Sequence, residues 1–100
     1  MLKLISLMRR ADGLSQEEFH QWALNDHVAF AKQLPGLRKY VVNPVVADDA
    51  PYDLVNEMWF DDEEARAAAF ASEAGKAAGG DAAAHTSERA HLISSEHELL

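Results

Sequence analysis

The chain has no cysteine, which excludes disulfides, a thiolate nucleophile and thiolate metal ligands. Basic residues are few: nine Lys and Arg stand against 17 Asp and Glu, a formal charge of −8 with His neutral. Such a surface repels phosphate backbones, so no nucleic acid is expected as a partner. No apolar run approaches the roughly 20 residues that span a bilayer, and the amino terminus lacks the basic region, apolar core and cleavage site of a secretory leader. A cytoplasmic chain with no membrane partner is therefore expected. There is also no G-x-G-x-x-G, no P-loop and no G-x-S-x-G, so nucleotide binding and serine hydrolysis lack a basis in the sequence.

What the chain does have is the balance of a folded domain, 48% hydrophobic and 26% charged over 100 residues. One domain spanning residues 1–100 is expected. Alanine supplies 18 of the 48 hydrophobic residues, so the core is modest. A domain of this length buries only about two thirds of the surface its unfolded chain exposes, which favours further burial by self-association.

Leu2 to Met8 is too short an apolar run for a stable helix and reads as a strand, with Leu2, Leu4 and Met8 on one parity and Ile5 and Leu7 on the other. Both of its faces should be covered. Ser15 and Glu18 then form an S-x-x-E capping box, with Leu14 and Phe19 placed for a hydrophobic staple. Phe19, Trp22, Ala23, Phe30, Ala31 and Leu34 recur at helical spacing up to Pro35-Gly36, a strong stop. Strands are expected from Leu37 to Val46, with Asn43-Pro44 marking an edge or bulge, and from Asp53 to Phe60. Asp61 to Glu64 open a second helix running to about Ser72. Gly75 and Gly79-Gly80 should break the stretch from Glu73 to Thr86 into short, mobile turns, before a last strand from about Arg89 to His97. The order βαββαβ predicts an α+β, ferredoxin-like fold, a four-stranded antiparallel sheet with helices on one face. Apolar residues on both strand parities predict that the other face packs on a second copy, giving a homodimeric α+β barrel.

His27 is the leading candidate for chemistry, since it lies on or beside the helix stripe that faces the sheet. An imidazole at an apolar cavity exchanges a proton near neutral pH; the competing reading is a His that merely bonds a backbone group or a Tyr. Asp26 adjoins it but points about 100° away around the helix. Tyr40 offers a phenol either to a substrate oxygen or to the rim of the core. Glu57, between Val55 and Trp59 on one strand parity, either serves the site or pairs with a cation of the neighbouring subunit. No metal is expected: His20 and His27 are about 10.5 Å apart along a helix, and no H-x-x-x-H occurs.

Arg9 to Ser15, Glu17-Glu18-Phe19-His20, Trp22, His27, Leu34 to Tyr40 and Glu57 to Asp61 together resemble the EthD family. The resemblance implies a dimeric α+β barrel with a small pocket between sheet and helices in each subunit. Its relatives include methylmuconolactone isomerase and polyketide-type cyclases, decarboxylases and dehydratases, which act on small oxygenated rings without metal or flavin. It implies no cofactor here, and it matches His27 to the family's helix histidine, proposed as acid or base, and Tyr40 to the tyrosine after P-G-L-x-x. Where many members have His-Ala-Pro-Leu this chain has His27-Val28-Ala29-Phe30, and Phe30 is expected to narrow the pocket.

Three functional readings follow. In the first, Phe19, Trp22, Phe30, Glu57 and Trp59 bind a small hydrophobic, oxygenated compound, His27 moves a proton and Tyr40 polarises an oxygen, as in an isomerase, cyclase or lyase. In the second, the chain binds such a compound without converting it, as an accessory to an oxygenase in ether degradation. In the third, it is a dimeric scaffold whose own side chains fill the pocket.

Overall fold

A computed structural model describes residues 1–100. Strand β1 (Leu2–Arg10) leads to α1 (Gln16–Gln21), a π-helical turn (Trp22–Asp26) and α2 (His27–Ala31), which follow one another as one continuous helical rod. Strands β2 (Lys39–Pro44) and β3 (Leu54–Phe60), helices α3 (Glu63–Ala71) and α4 (Glu73–His85), and β4 (Thr86–Ser95) complete the chain. The sheet is antiparallel throughout, in the order β2-β3-β1-β4. This is the ferredoxin-like arrangement expected from the element order.

Local chemistry explains most of the boundaries. Ser15 caps α1 with the full reciprocal box: its hydroxyl accepts from the Glu18 amide at 3.0 Å and the Glu18 carboxylate accepts from its amide at 2.9 Å. Pro35 and Gly36, the latter at φ +78°, end the helical rod in a conformation that glycine adopts without a Cβ penalty. Pro44 is the last residue of an edge strand, where a missing N–H is tolerated. The Asp62 side chain accepts from the Ala65 amide at the start of α3.

The stretch expected to be broken and mobile is instead helix α4. Three features outweigh its glycines. Ser72 caps it through the Gly75 amide, six alanines offset the helix cost of three glycines, and Gly75 lets it approach α3 closely. A Cβ on Gly75 would come within 2.6 Å of the Phe70 backbone. The last strand also begins earlier than expected, at Thr86.

The helices cover one face of the sheet, and the core lies between in two clusters. Leu4, Ala31, Leu34, Met58, Phe60 and Ala69 form one, Met8, Phe19, Trp22, Ala23, Leu54 and Ala82 the other. Burial of each large side chain here stabilises the fold by about 1.5–3 kcal/mol. The opposite face carries Ile5 and Leu7 of β1, Val41 of β2, Val55, Glu57 and Trp59 of β3 and Leu92 of β4. No element of this chain covers it, so only one face of β1 is covered within the subunit.

Candidate active-site cavity

A cavity of about 180 Å³ lies between the sheet and the helices. Met8, Leu34, Met58, Phe70, Ala78 and Ala82 give it apolar walls, and Ser6, His27, Asn56, Arg89 and His91 supply its polar groups. The sheet register explains the floor. Asn56 of β3, Ser6 of β1 and His91 of β4 are direct cross-strand partners, so they form a polar row across three strands on the helix-facing side. Ser6 Oγ and His91 Nδ1 lie 2.8 Å apart. Asn56 is buried, its amide making only a long contact to Met8 Sδ at 3.8 Å, and its Oδ1 has no partner. A buried acceptor left unpaired costs about 1–3 kcal/mol, so this one stands ready for a donor brought by a ligand.

Opposite the floor is His27, 3% exposed. Its Nδ1 is 2.8 Å from Asp81 Oδ2, and the same oxygen accepts from Trp22 Nε1 at 3.1 Å. A carboxylate only accepts, so Nδ1 carries a proton and donates it to Asp81, while Nε2 has no protein partner. The local helix geometry makes this possible. Trp22 and His27 are five residues apart, about 140° around an ideal α-helix. The π-turn closes with the His27 amide bonded to the Trp22 carbonyl, which brings the two rings together at 4.7 Å between centroids. Both N–H groups then reach one carboxylate on α4. His85 stacks on the indole at 4.6 Å and donates from Nδ1 to the Asp81 carbonyl at 2.8 Å. Single-turn π-helices of this kind recur at functional sites.

Of the seven candidate site residues named from the sequence, His27, Tyr40, Phe19, Trp22, Phe30, Glu57 and Trp59, only His27 lines the cavity. Phe19 and Trp22 are core residues, stacked at 5.3 Å, and Trp22 serves through its bond to Asp81. Phe30 is 39% exposed, its ring 6.4 Å from that of His27, so it does not narrow the cavity. Tyr40 packs on the first core cluster with its hydroxyl buried and unpartnered, and burial pushes that hydroxyl up to about 12. Glu57 and Trp59 lie on the uncovered face, because their parity on β3 is opposite to that of Asn56. There Glu57 pairs with Lys3 within its own chain, which holds its carboxyl below the ordinary range. Trp59 donates to Glu96 at 3.1 Å, with Lys3 and Lys39 each 4.8 Å from its ring.

Asp81, Asn56, Ser6 and Arg89 escaped the sequence reading. For Ser6 and Asn56 a signal existed: each interrupts an otherwise apolar parity, Leu4-Ser6-Met8 and Leu54-Asn56-Met58. Asp81 had none, since it follows a Gly-Gly pair. No His, Asp and Glu side chains are grouped so as to hold a metal ion, and no helix is long and apolar enough to cross a membrane.

The fold and site define a small ferredoxin-like α+β protein with a polar-floored cavity that opens to solvent beside Arg89. The chain belongs to the EthD family: the EthD domain model matches residues 11–88. Among solved structures, an ethyl tert-butyl ether D (EthD) family protein from Bacillus halodurans is 29% identical. Its TM-score is 0.85, and the match covers 97% of this chain and 99% of that one. A dimeric ferredoxin-like protein from Thermobifida fusca is 18% identical, with a TM-score of 0.77 and coverage of 95% and 90%. SnoaB, a cofactor-independent oxygenase from Streptomyces nogalater, is 16% identical, with a TM-score of 0.72 and coverage of 99% and 95%. A comparison with curated proteins found no match.

Proposed function

We propose that this chain binds a small, largely apolar, oxygenated organic compound in the cavity and transfers a proton to or from it through His27 Nε2. The supporting observation is the Trp22–Asp81–His27 arrangement, which orients an imidazole with its one free nitrogen at a cavity. A carboxylate on Nδ1 fixes the tautomer and stabilises the imidazolium that forms when Nε2 takes a proton. The Asn56 carbonyl oxygen, unpaired at the floor, would hold a hydroxyl or enol of the bound compound. Engineered apolar cavities of about 150 Å³ take up benzene; 180 Å³ therefore suits a single ring with a substituent. Reactions within reach of one positioned acid/base group are isomerisation, cyclisation and elimination next to a carbonyl, which need no cofactor. Family membership and the likeness to a cofactor-independent oxygenase agree with this reading. In this reading the aromatic residues Phe19 and Trp22 support the site from the core, and Tyr40 is a core residue. We further propose a homodimer closed through the uncovered sheet face, and a cytoplasmic location.

The test is a panel of phenols, lactones and diketones incubated with wild type and His27→Ala, with recovered compounds analysed by mass and isomer composition. A positioned general base contributes about 10²–10⁴ in rate, so the variant should lose that much turnover while still binding. Equal turnover in the variant removes His27 from the mechanism. Binding without conversion by wild type would favour an accessory role beside an oxygenase.

A further inference from the structure

Six of the nine Lys and Arg side chains have carboxylate partners: Lys3, Arg9, Arg10, Arg38, Arg66 and Lys76. Of the remaining three, Lys39 lies over the Trp59 ring and Lys32 is on the open surface. The third is Arg89, which lines the cavity and also the polar groove beside it. Its one side-chain hydrogen bond is a long one, from Nη1 to the Gly79 carbonyl at 3.4 Å. In a chain with 17 carboxylates, an arginine without one, placed at a cavity mouth, is poised for a carboxylate from elsewhere.

The surroundings have the matching sign. No Asp or Glu lines the cavity, and Glu88, which lines the groove, is paired with Arg9. The nearby Asp81 is engaged by Trp22 and His27. His91, the floor residue next to Arg89 on the same face of β4, is held below the usual histidine range by burial and by the charges of Arg89 and Arg66.

We propose that the compound bound in the cavity is an organic anion, a single-ring carboxylate whose carboxylate is gripped by Arg89 at the mouth while its far end reaches Asn56 and His27. The proposal rests on the cavity being a ligand site, as argued above, and adds the ligand's charge. A guanidinium presents two parallel N–H donors to a carboxylate, a geometry an amide cannot exploit. A hydrogen bond to a charged group corresponds to about a 10- to 100-fold gain in affinity, and a ligand seated in the cavity would cover the Arg89 guanidinium, which is exposed in the free chain.

The experiment is calorimetric titration of wild type and Arg89→Gln with 4-hydroxybenzoate and its neutral counterpart 4-hydroxybenzamide. Shifts of the His27 ring resonances verify that each compound enters the cavity. The expected result is that wild type binds the acid at least 10-fold more tightly than the amide. In Arg89→Gln the two should bind alike, with the amide's affinity unchanged, which also shows that the variant is folded. Equal binding of acid and amide by wild type overturns the proposal and leaves the ligand site standing. A preference for the acid that survives in Arg89→Gln also overturns it. If neither compound moves the His27 resonances, both the proposal and the reading beneath it fail.

Discussion

Asp81 Oδ2 and His27 Nδ1 lie 2.8 Å apart although 54 residues separate them in the chain. The contact joins α4 to α2, and its carboxylate is shared with Trp22. Asp81→Asn should therefore unlock the imidazole: an amide group accepts through its oxygen alone and can place an N–H against His27. In wild type, long-range ¹H–¹⁵N spectra should show His27 as the Nδ1–H tautomer; in the variant that tautomer should no longer dominate. Removing the charge that assists these two hydrogen bonds should also lower stability by about 1–3 kcal/mol. An unchanged tautomer would show that Asp81 does not orient the ring.

Asn56 should display a trade between stability and binding. Its Oδ1 is buried without a partner in the unliganded chain, so Asn56→Leu, alike in branching and with the cavity beside it to take the added volume, should stabilise the free protein by about 1 kcal/mol. The same substitution should weaken the binding of any hydroxylated ligand. Urea unfolding and titration with a phenol measure the two effects. Lower stability in the variant would mean that the carboxamide already has its partners.

Tyr40 gives a pH signature at the alkaline end. Its folded value, about 12, lies above the ordinary value of 10 because the hydroxyl is buried. Between those two values the unfolded chain has released the proton and the folded chain still holds it. Stability therefore falls as pH rises from 10 to 12, by at most about 3 kcal/mol. Tyr40→Phe should remove this loss, and below pH 10 it should be the more stable form by about 1 kcal/mol, since its parent hydroxyl has no partner. Thermal unfolding across that pH range is the measurement; parallel curves for the two proteins would refute it.

How far the sequence could be read depended on whether a feature was local. The Ser15 box, the Pro35-Gly36 stop and the strand parities depend on neighbours within a few residues, and they led to the fold. The π-turn is not written in apolar spacing; its only trace is Asn25-Asp26, two poor helix formers inside a helix. Asp26 adjoins His27 in sequence but points away around the helix, and the acid that pairs with His27 comes from α4. Glu57 drew notice as a charge among apolar neighbours, but those neighbours belong to the uncovered face. Asn56, one residue earlier on the covered face, is the polar residue that meets the cavity.

Helix α4 shows the same limit, because glycines that weaken a helix locally can be required by packing. Gly75→Ala would gain about 1 kcal/mol of helix propensity, yet its new Cβ would press on the α3 backbone. Overpacking against a backbone that cannot shift costs about 1–3 kcal/mol, so net destabilisation is expected. Gly79 has nothing within 4 Å of its would-be Cβ, and Gly79→Ala should instead stabilise by about 0.5–1 kcal/mol. Chemical denaturation of both variants decides the matter, and equal signs would mean that α4 does not pack on α3 as described.

The uncovered sheet face sets the last prediction. Ile5, Leu7, Val41, Val55 and Leu92 lie on it, and Leu92 is 51% exposed. An apolar sheet face of this kind, on a chain with a charge of −8, is poorly suited to water and well suited to a two-fold copy of itself, because a self-complementary interface brings the same patch from both partners. Charge sets the sensitivity of the contact. An Asp at position 5 would be buried twice across such an axis, near its own symmetry mate, and an unpaired buried carboxylate is strongly unfavourable. Wild type should sediment as a dimer at micromolar concentration, and Ile5→Asp as a monomer with an unchanged far-ultraviolet spectrum. A wild type that sediments as a monomer would mean that this face is stable in water alone, and that its Lys3–Glu57–Glu96 and Trp59–Lys39 contacts suffice to shield it.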